Sequence, residues 1–239
     1  MKRILRPTKS FHEWQDLLAK PKLHWKLGYS AMTLAKSWEA AASDGFPPEV
    51  KEILKSGKSF GLDNFHMLLA IPEYQVMLPG GDRPSQADIL VIAKADNGLA
   101  TIAVEGKVDE PFGPTLAKKI TENSKGFNER LEYLLKSLEL PDKIPDSIHY
   151  QLIHRTVSAL ITAEEFCATS AIMLIHSFSP SNKWYEDFQA FLNLFNVRAE
   201  IGKLIKIGKY RGIELYTAWC KGNQWFLMQN EDSIARQNS

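Results

Sequence analysis

Asp88, Glu105 and Lys107 are the residues whose types and spacing could do chemistry together. Two apolar runs, Ile89–Ala93 and Leu99–Val104, flank the stretch Lys94-Ala95-Asp96-Asn97-Gly98. Asn-Gly takes up positive φ cheaply, so this segment is expected to form a β-hairpin. Folding about Asn97 sets Asp88, at the start of the first strand, opposite a position within about two residues of Glu105 on the second. Side chains alternate faces along a strand, so Glu105 and Lys107 point the same way and an ammonium stands beside two carboxylates. Mg²⁺ needs only one or two carboxylates besides a substrate phosphate, because it keeps several of its waters. A nearby ammonium can then offset negative charge developing on phosphorus. The competing reading is an ordinary salt-bridge cluster at the strand ends, since unpaired charge is costly to bury.

Asp88 followed by Glu105-Gly106-Lys107 resembles the D…(D/E)xK signature of the PD-(D/E)XK, or restriction-endonuclease-like, nuclease superfamily; the proline of the motif stands at Pro84, in PSQAD. The blocks YSAMTLAKSWE, PSQAD, VEGKVDEPFG and YQLIHRT together are similar to an uncharacterised bacterial family within it. The resemblance implies an α/β fold with a mixed sheet: an αβββαβ core, helices on the sheet faces, and a C-terminal hairpin extension. It implies that Asp88 and Glu105 bind Mg²⁺, for which Mn²⁺ can substitute, with the Gly106 carbonyl nearby. Lys107 would orient or activate the attacking water. An acidic residue on the helix before the sheet would join the metal, and Glu39 is the candidate. The helix after the ExK strand would face the site through Gln151 and Arg155, with His154 a lesser contributor, as nucleic-acid contacts. The implied function is metal-dependent hydrolysis of phosphodiester bonds in nucleic acid, DNA ahead of RNA, in defence or repair, and a homodimer is compatible with it. The alternative is a catalytically inactive nuclease-fold protein that binds nucleic acid or a protein partner.

The elements that must position these residues follow from periodicity. In Leu27–Ala42, apolar or small residues at Ala31, Leu34, Ala35, Trp38 and Ala41 mark the buried face of a closely packed helix. A short helix is expected over Glu49–Lys55, and first-strand segments over Phe65–Ile71 and Tyr74–Leu78. The turn-rich LPGGDRPSQ leads into Asp88 and exposes Asp82, Arg83, Ser85 and Gln86, which could touch a phosphate backbone. Asp109, two residues beyond Lys107, is an auxiliary or rival carboxylate on the same face. Helices are expected over Thr115–Leu138 and Ile148–Phe166. In the second, Gln151, His154, Arg155 and Ser158 form one polar stripe on an otherwise apolar helix. Ala171–Phe178 reads as a fourth strand, followed by an amphipathic helix through Phe195. Gly212–Cys220 and Gln224–Met228 read as a terminal hairpin, and Glu231–Ser239 as a frayed end. Lys203, Lys206, Lys209 and Arg211 form a local basic run.

The 239 residues and 44% apolar content suit a single domain, with the nuclease-like core over about 27–195 and an extension over 196–239. Only Cys167 and Cys220 occur, neither in a CxxC, so neither a disulfide framework nor a zinc site is expected. No apolar run approaches the roughly 18 residues of a membrane span, and the start MKRILRPTKSFHEW lacks a signal-peptide core, which predicts a cytoplasmic protein. A net charge of +1 argues against coating nucleic acid by bulk electrostatics while allowing local patches that grip a few phosphates.

Overall fold

A computed structural model describes residues 8–122 and 124–229. A 3₁₀ turn at Phe11–Leu17 is followed by α1 (Pro21–His24), α2 (Ser30–Ala40) and α3 (Pro48–Lys55). Three strands come next: β1 (His66–Val76), β2 (Ser85–Ala95) and β3 (Gly98–Lys107). Then come α4 (Leu116–Glu122), α5 (Phe127–Ser137), α6 (Tyr150–Glu165), β4 (Ser170–Ser177) and α7 (Tyr185–Asn193). The described chain closes with β5 (Leu204–Tyr210), β6 (Ile213–Lys221) and α8 (Trp225–Met228).

The strands make one six-stranded mixed sheet in the order β1-β2-β3-β4-β6-β5. The hairpin expected around Asn97 is β2–β3, antiparallel with Ile89 opposite Val104 and Ala95 opposite Gly98. β4 returns parallel to β3 after α6, a crossover that a strand, helix and parallel strand require. Both sheet faces are covered, which is why the central strands are apolar on both sides. Leu34, Ala35 and Trp38 of α2, with Val50, Ile53 and Leu54 of α3, pack on Ile89, Val91, Ile102, Val104 and Leu174. On the opposite face, α5, α6 and α7 contribute Leu134, Leu152, Val157, Phe188 and Phe191 against Ala103, Met173, Ile175 and Trp219. Among the described residues no helix is long and apolar enough to cross a membrane.

The C-terminal part departs from expectation. Its hairpin is β5–β6, and β6 pairs parallel to β4 along Ser170–Ser177, inside the sheet rather than appended to it. Trp225–Met228 is a turn of helix instead of a strand. The basic run lies partly on β5, where Lys206 pairs with Glu214 across the hairpin at 2.6 Å, while Arg211 reaches Glu164 at 3.2 Å. The helix expected over Thr115–Leu138 is two helices, α4 and α5, with Gly126 at positive φ before the second. The expected frayed end at 231–239 lies outside the described residues.

Gly80 and Gly126 meet backbone to backbone. A Cβ on either would collide with the other's main chain, and both have positive φ. Gly113 also has positive φ but open space around its missing Cβ. Gly126→Ala is therefore expected to cost roughly 1–3 kcal/mol beyond the backbone strain that Gly113→Ala alone incurs, read as a larger fall in thermal midpoint.

Candidate active site

The register of the first three strands builds the site. Ile89 pairs with Val104, so one step further the antiparallel ladder sets Asp88 across from Glu105. Pro72 pairs with Ile89 and Tyr74 with Ala87, so Glu73 falls beside Asp88 on the other flank. Three carboxylate residues therefore lie in one row across β1, β2 and β3. Glu73 has φ +53°, a left-handed conformation in the middle of a strand, which costs roughly 1–3 kcal/mol for a residue with a Cβ. Its Oε2 accepts a hydrogen bond from Gln86 Nε2 at 2.6 Å. Asp88 Oδ2 accepts the Gly106 backbone N–H at 2.7 Å. Gly106 leaves room for that carboxylate, since a Cβ there would stand 3.3 Å from Asp88 Oδ2 and 3.1 Å from Leu34.

Glu105 is the most heavily engaged group. Its Oε1 accepts from Lys107 Nζ at 2.8 Å and from Gln151 Nε2 at 2.7 Å, and its Oε2 from Arg155 Nε at 2.6 Å. Lys107 Nζ also donates to Gln151 Oε1 at 3.1 Å and stands 5.1 Å from the centroid of the buried Phe112 ring. Arg155 Nη1 donates to Ser85 Oγ at 2.8 Å, and that oxygen is 2.9 Å from His154 Nδ1. Ser85 Oγ accepts from the guanidinium and keeps its own proton and a second lone pair for His154 Nδ1, so this contact can form in either imidazole tautomer. Burial, and next the Arg155 charge, hold the His154 pKa well below the ordinary value, so the ring is neutral at physiological pH.

The carboxylates are pushed apart in acidity. Burial would raise Glu105, but the charges and hydrogen bonds of Lys107 and Arg155 outweigh it and hold its pKa at about 2. Burial, then repulsion from Glu105, raises Asp88 to about 7. Burial, then the Asp88 charge, pushes Glu73 up to about 9. At neutral pH Glu105 is therefore ionised, while Glu73 and, in part, Asp88 hold protons that a cation would displace.

Of the residues singled out by sequence, the structure gathers Asp88, Glu105, Lys107, Gln151 and Arg155 around one carboxylate, with His154 joined through Ser85. Arg155 is only 8% exposed, and its guanidinium is spent on Glu105 and Ser85 rather than presented to a ligand. Glu39 stands apart from this network: its Oε1 accepts from Thr8 Oγ1 and Trp14 Nε1, both at 2.7 Å. The stretch after β3 leaves the Asp109 side chain exposed while its carbonyl accepts Trp184 Nε1 at 3.0 Å. Sequence reasoning missed Glu73. The signal available was an acidic residue interrupting the apolar IPEYQV run, directly upstream of the turn that leads to Asp88.

A second buried polar group lies on the other sheet face. Trp38 Nε1 donates to His176 Nδ1 at 3.1 Å, so Nε2 carries the proton toward Glu49 Oε1, also at 3.1 Å. Cys220 sits beside His176 on the neighbouring strand, and burial pushes its thiol well above the usual range. With both imidazole nitrogens engaged and the thiol protonated, this group ties α2, α3 and β4 together and offers no nucleophile.

Among the described residues no group of three His, Cys, Asp or Glu side chains is arranged to hold a metal ion. The donor set nonetheless suits a hard cation held by one or two carboxylates. Asp88 Oδ1 and Glu73 Oε1 accept no hydrogen bond from the described residues, whereas both Glu105 oxygens are taken. No curated protein and no solved structure matches the chain. A family model does match residues 7–224, which span both walls of the site and the whole sheet, and the chain therefore belongs to DUF6946, a domain of unknown function.

Proposed function

We propose that this protein is a Mg²⁺-dependent nuclease that hydrolyses phosphodiester bonds in nucleic acid, with Mn²⁺ able to stand in. The observation that carries the reading is the convergence of Asp88, Glu105 and Lys107 at one end of the β2–β3 hairpin, braced from α6 by Gln151 and Arg155. Support comes from the element order: α2 precedes three antiparallel strands and α6 leads into a parallel strand, as in the core of the nuclease superfamily that the motif resembles, with α3, α4 and α5 as additional helices between them. Asp88 and Glu73 have the oxygens to hold the cation, and Glu105 joins them by loosening from Lys107 or Arg155. A bound Mg²⁺ would polarise the phosphate and make a bound water more acidic. Lys107, seated between Glu105 and Gln151, is placed to steady that water or a phosphate oxygen. Arg155 and Gln151 fix the orientation of Glu105 and take no part in bond breaking. DNA stands ahead of RNA as substrate, and defence or repair is the setting.

A specific observation favours a second reading, a nuclease-fold protein that binds without cleaving: Glu105 is fully engaged by protein donors. Lys107→Met separates the two. The Met stem keeps the packing on Phe112 while removing the ammonium. In the nuclease, labelled-DNA cleavage should fall by about 10²–10³-fold while calorimetric Mn²⁺ affinity stays within a few fold. A wild-type protein that binds no Mn²⁺ and cleaves neither DNA nor RNA with any divalent cation would leave the binding protein as the answer.

A further inference from the structure

Beside the site, the loop between β1 and β2 is held in an unusual way. The guanidinium of Arg130 on α5 donates to four main-chain carbonyls of this loop: Pro79 and Gly81 at 2.8 Å, Arg83 at 2.9 Å and Leu78 at 3.2 Å. All four acceptors are neutral, so the hydrogen bonds orient the cation without cancelling its charge. In a trans peptide the carbonyl and the following N–H point in opposite directions. The amides of Gly80 and Asp82 are therefore turned away from Arg130, and no backbone N–H of residues 80–83 donates to an acceptor among the described residues. Gly80 and Gly81 both have positive φ, +74° and +146°, a backbone that only glycine takes up freely.

This loop forms one wall of a groove of about 720 Å³. The facing wall is Lys119 on α4 and the start of α5, with Lys125, Arg130 and the Tyr150 ring. Asp82, Glu122 and Glu129 also border it, but Glu122 is occupied by Lys119 at 2.7 Å. Arg83 and Lys125 are exposed, and neither side chain has an ion-pair partner among the described residues. The groove lies beside the site and is joined to it by packed side chains: Tyr150, which lines it, stacks on His154 with ring centroids 4.9 Å apart, His154 contacts Ser85, and Ser85 contacts Arg155.

We propose that this groove carries the phosphodiester backbone of the nucleic acid that enters the Asp88–Glu105 site, its flanking phosphates gripped by Arg83 and Lys125. The proposal rests on the nuclease reading for what happens at the far end, but the grip is independent of cleavage. Arg130 acts as a positioning residue: it sets the loop and, through Ser85, the Arg155–Glu105 pair.

The test is fluorescence-anisotropy binding of a short labelled oligodeoxynucleotide, single-stranded and as a duplex, in EDTA across a salt series. Charge reversal of Arg83→Glu with Lys125→Glu is expected to weaken binding by ten-fold or more and to lower the slope of log affinity against log salt by about 1–2. The thermal midpoint and calorimetric Mn²⁺ affinity should not change. If the double reversal lowers the midpoint, Arg83→Gln with Lys125→Gln provides the same reading at half the charge change. Unchanged affinity and slope in a folded variant, or a wild-type protein that binds neither probe, overturns the groove. Loss of binding in the variant while wild type shows no cleavage leaves the groove standing and removes the nuclease. Cleavage by wild type with binding untouched in the variant does the reverse.

Discussion

Asp88→Asn is expected to abolish metal-dependent cleavage and yet to stabilise the metal-free protein at neutral pH and above. The asparagine Oδ1 can still accept the Gly106 N–H that Asp88 accepts at 2.7 Å, so the strand ends keep their connection. What disappears is a carboxylate that burial and Glu105 raise to about 7, above its unfolded value of about 3.9. A group raised on folding contributes stability that is fully present below the unfolded pKa and is lost as pH rises through the folded one. In wild type that loss runs from about pH 4 through about 7 for Asp88, and Glu73, raised to about 9, extends it. Thermal midpoints of metal-free wild type should therefore decline across this range. Those of Asp88→Asn should be flatter up to about pH 7 and lie above wild type beyond it. Added Mn²⁺ should raise the wild-type midpoint by mass action, releasing protons at pH 6 as it binds, and do neither in the variant. A variant that is destabilised at pH 8 and retains Mn²⁺ binding would remove Asp88 from the metal site.

Glu105→Gln should have the opposite sign on stability. Both Lys107 and Arg155 are largely buried beside this carboxylate, at 2.8 and 2.6 Å. Neutralising it leaves two cations facing one amide, and breaking a buried pair costs about 3–5 kcal/mol. For a chain of this size that is a fall of roughly 6–20 °C in thermal midpoint. Removing one cation as well, in Glu105→Gln with Arg155→Met, should recover part of the loss, as a double-mutant cycle would show. Glu105 is held at about 2, below its unfolded value of about 4.3. Its contribution is therefore present above that unfolded value and lost as pH falls through about 2, so Glu105 promotes acid unfolding, whereas the Asp88 contribution is retained in acid. A Glu105→Gln protein as stable as wild type would mean that the cluster exerts little hold on the fold. The two carboxylates nearest the proposed chemistry thus differ in kind: Glu105 holds the wall together, and Asp88 is held against its own electrostatics.

Local sequence information sufficed for the central hairpin and for the helices before and after it that carry Leu34 and Arg155, but not for the break at Gly126 or the helical turn at Trp225–Met228. Asp96-Asn97, closed by Gly98 at positive φ, specifies a tight turn, and strand alternation then dictates that Asp88, Glu105 and Lys107 share a face. The 3.6-residue period likewise aligns Gln151 and Arg155 on one stripe of α6. The partners across the fold could not be read this way, because periodicity tells which face a residue is on but not which element covers that face. Glu73 reaches the site only because β1 pairs with β2 in one register and its backbone turns left-handed there. Glu39 was on a suitable helix, but its carboxylate is claimed by Thr8 and Trp14 from the N-terminal segment. The last hairpin read as an appendage because nothing local in it signals a parallel partner, while β4 offered an open edge that β6 fills. Arg155 shows the same division most clearly. Its place on the stripe followed from spacing, but whether its charge faces a ligand or a carboxylate was decided by the strand that the helix packs against, and that strand presents Glu105.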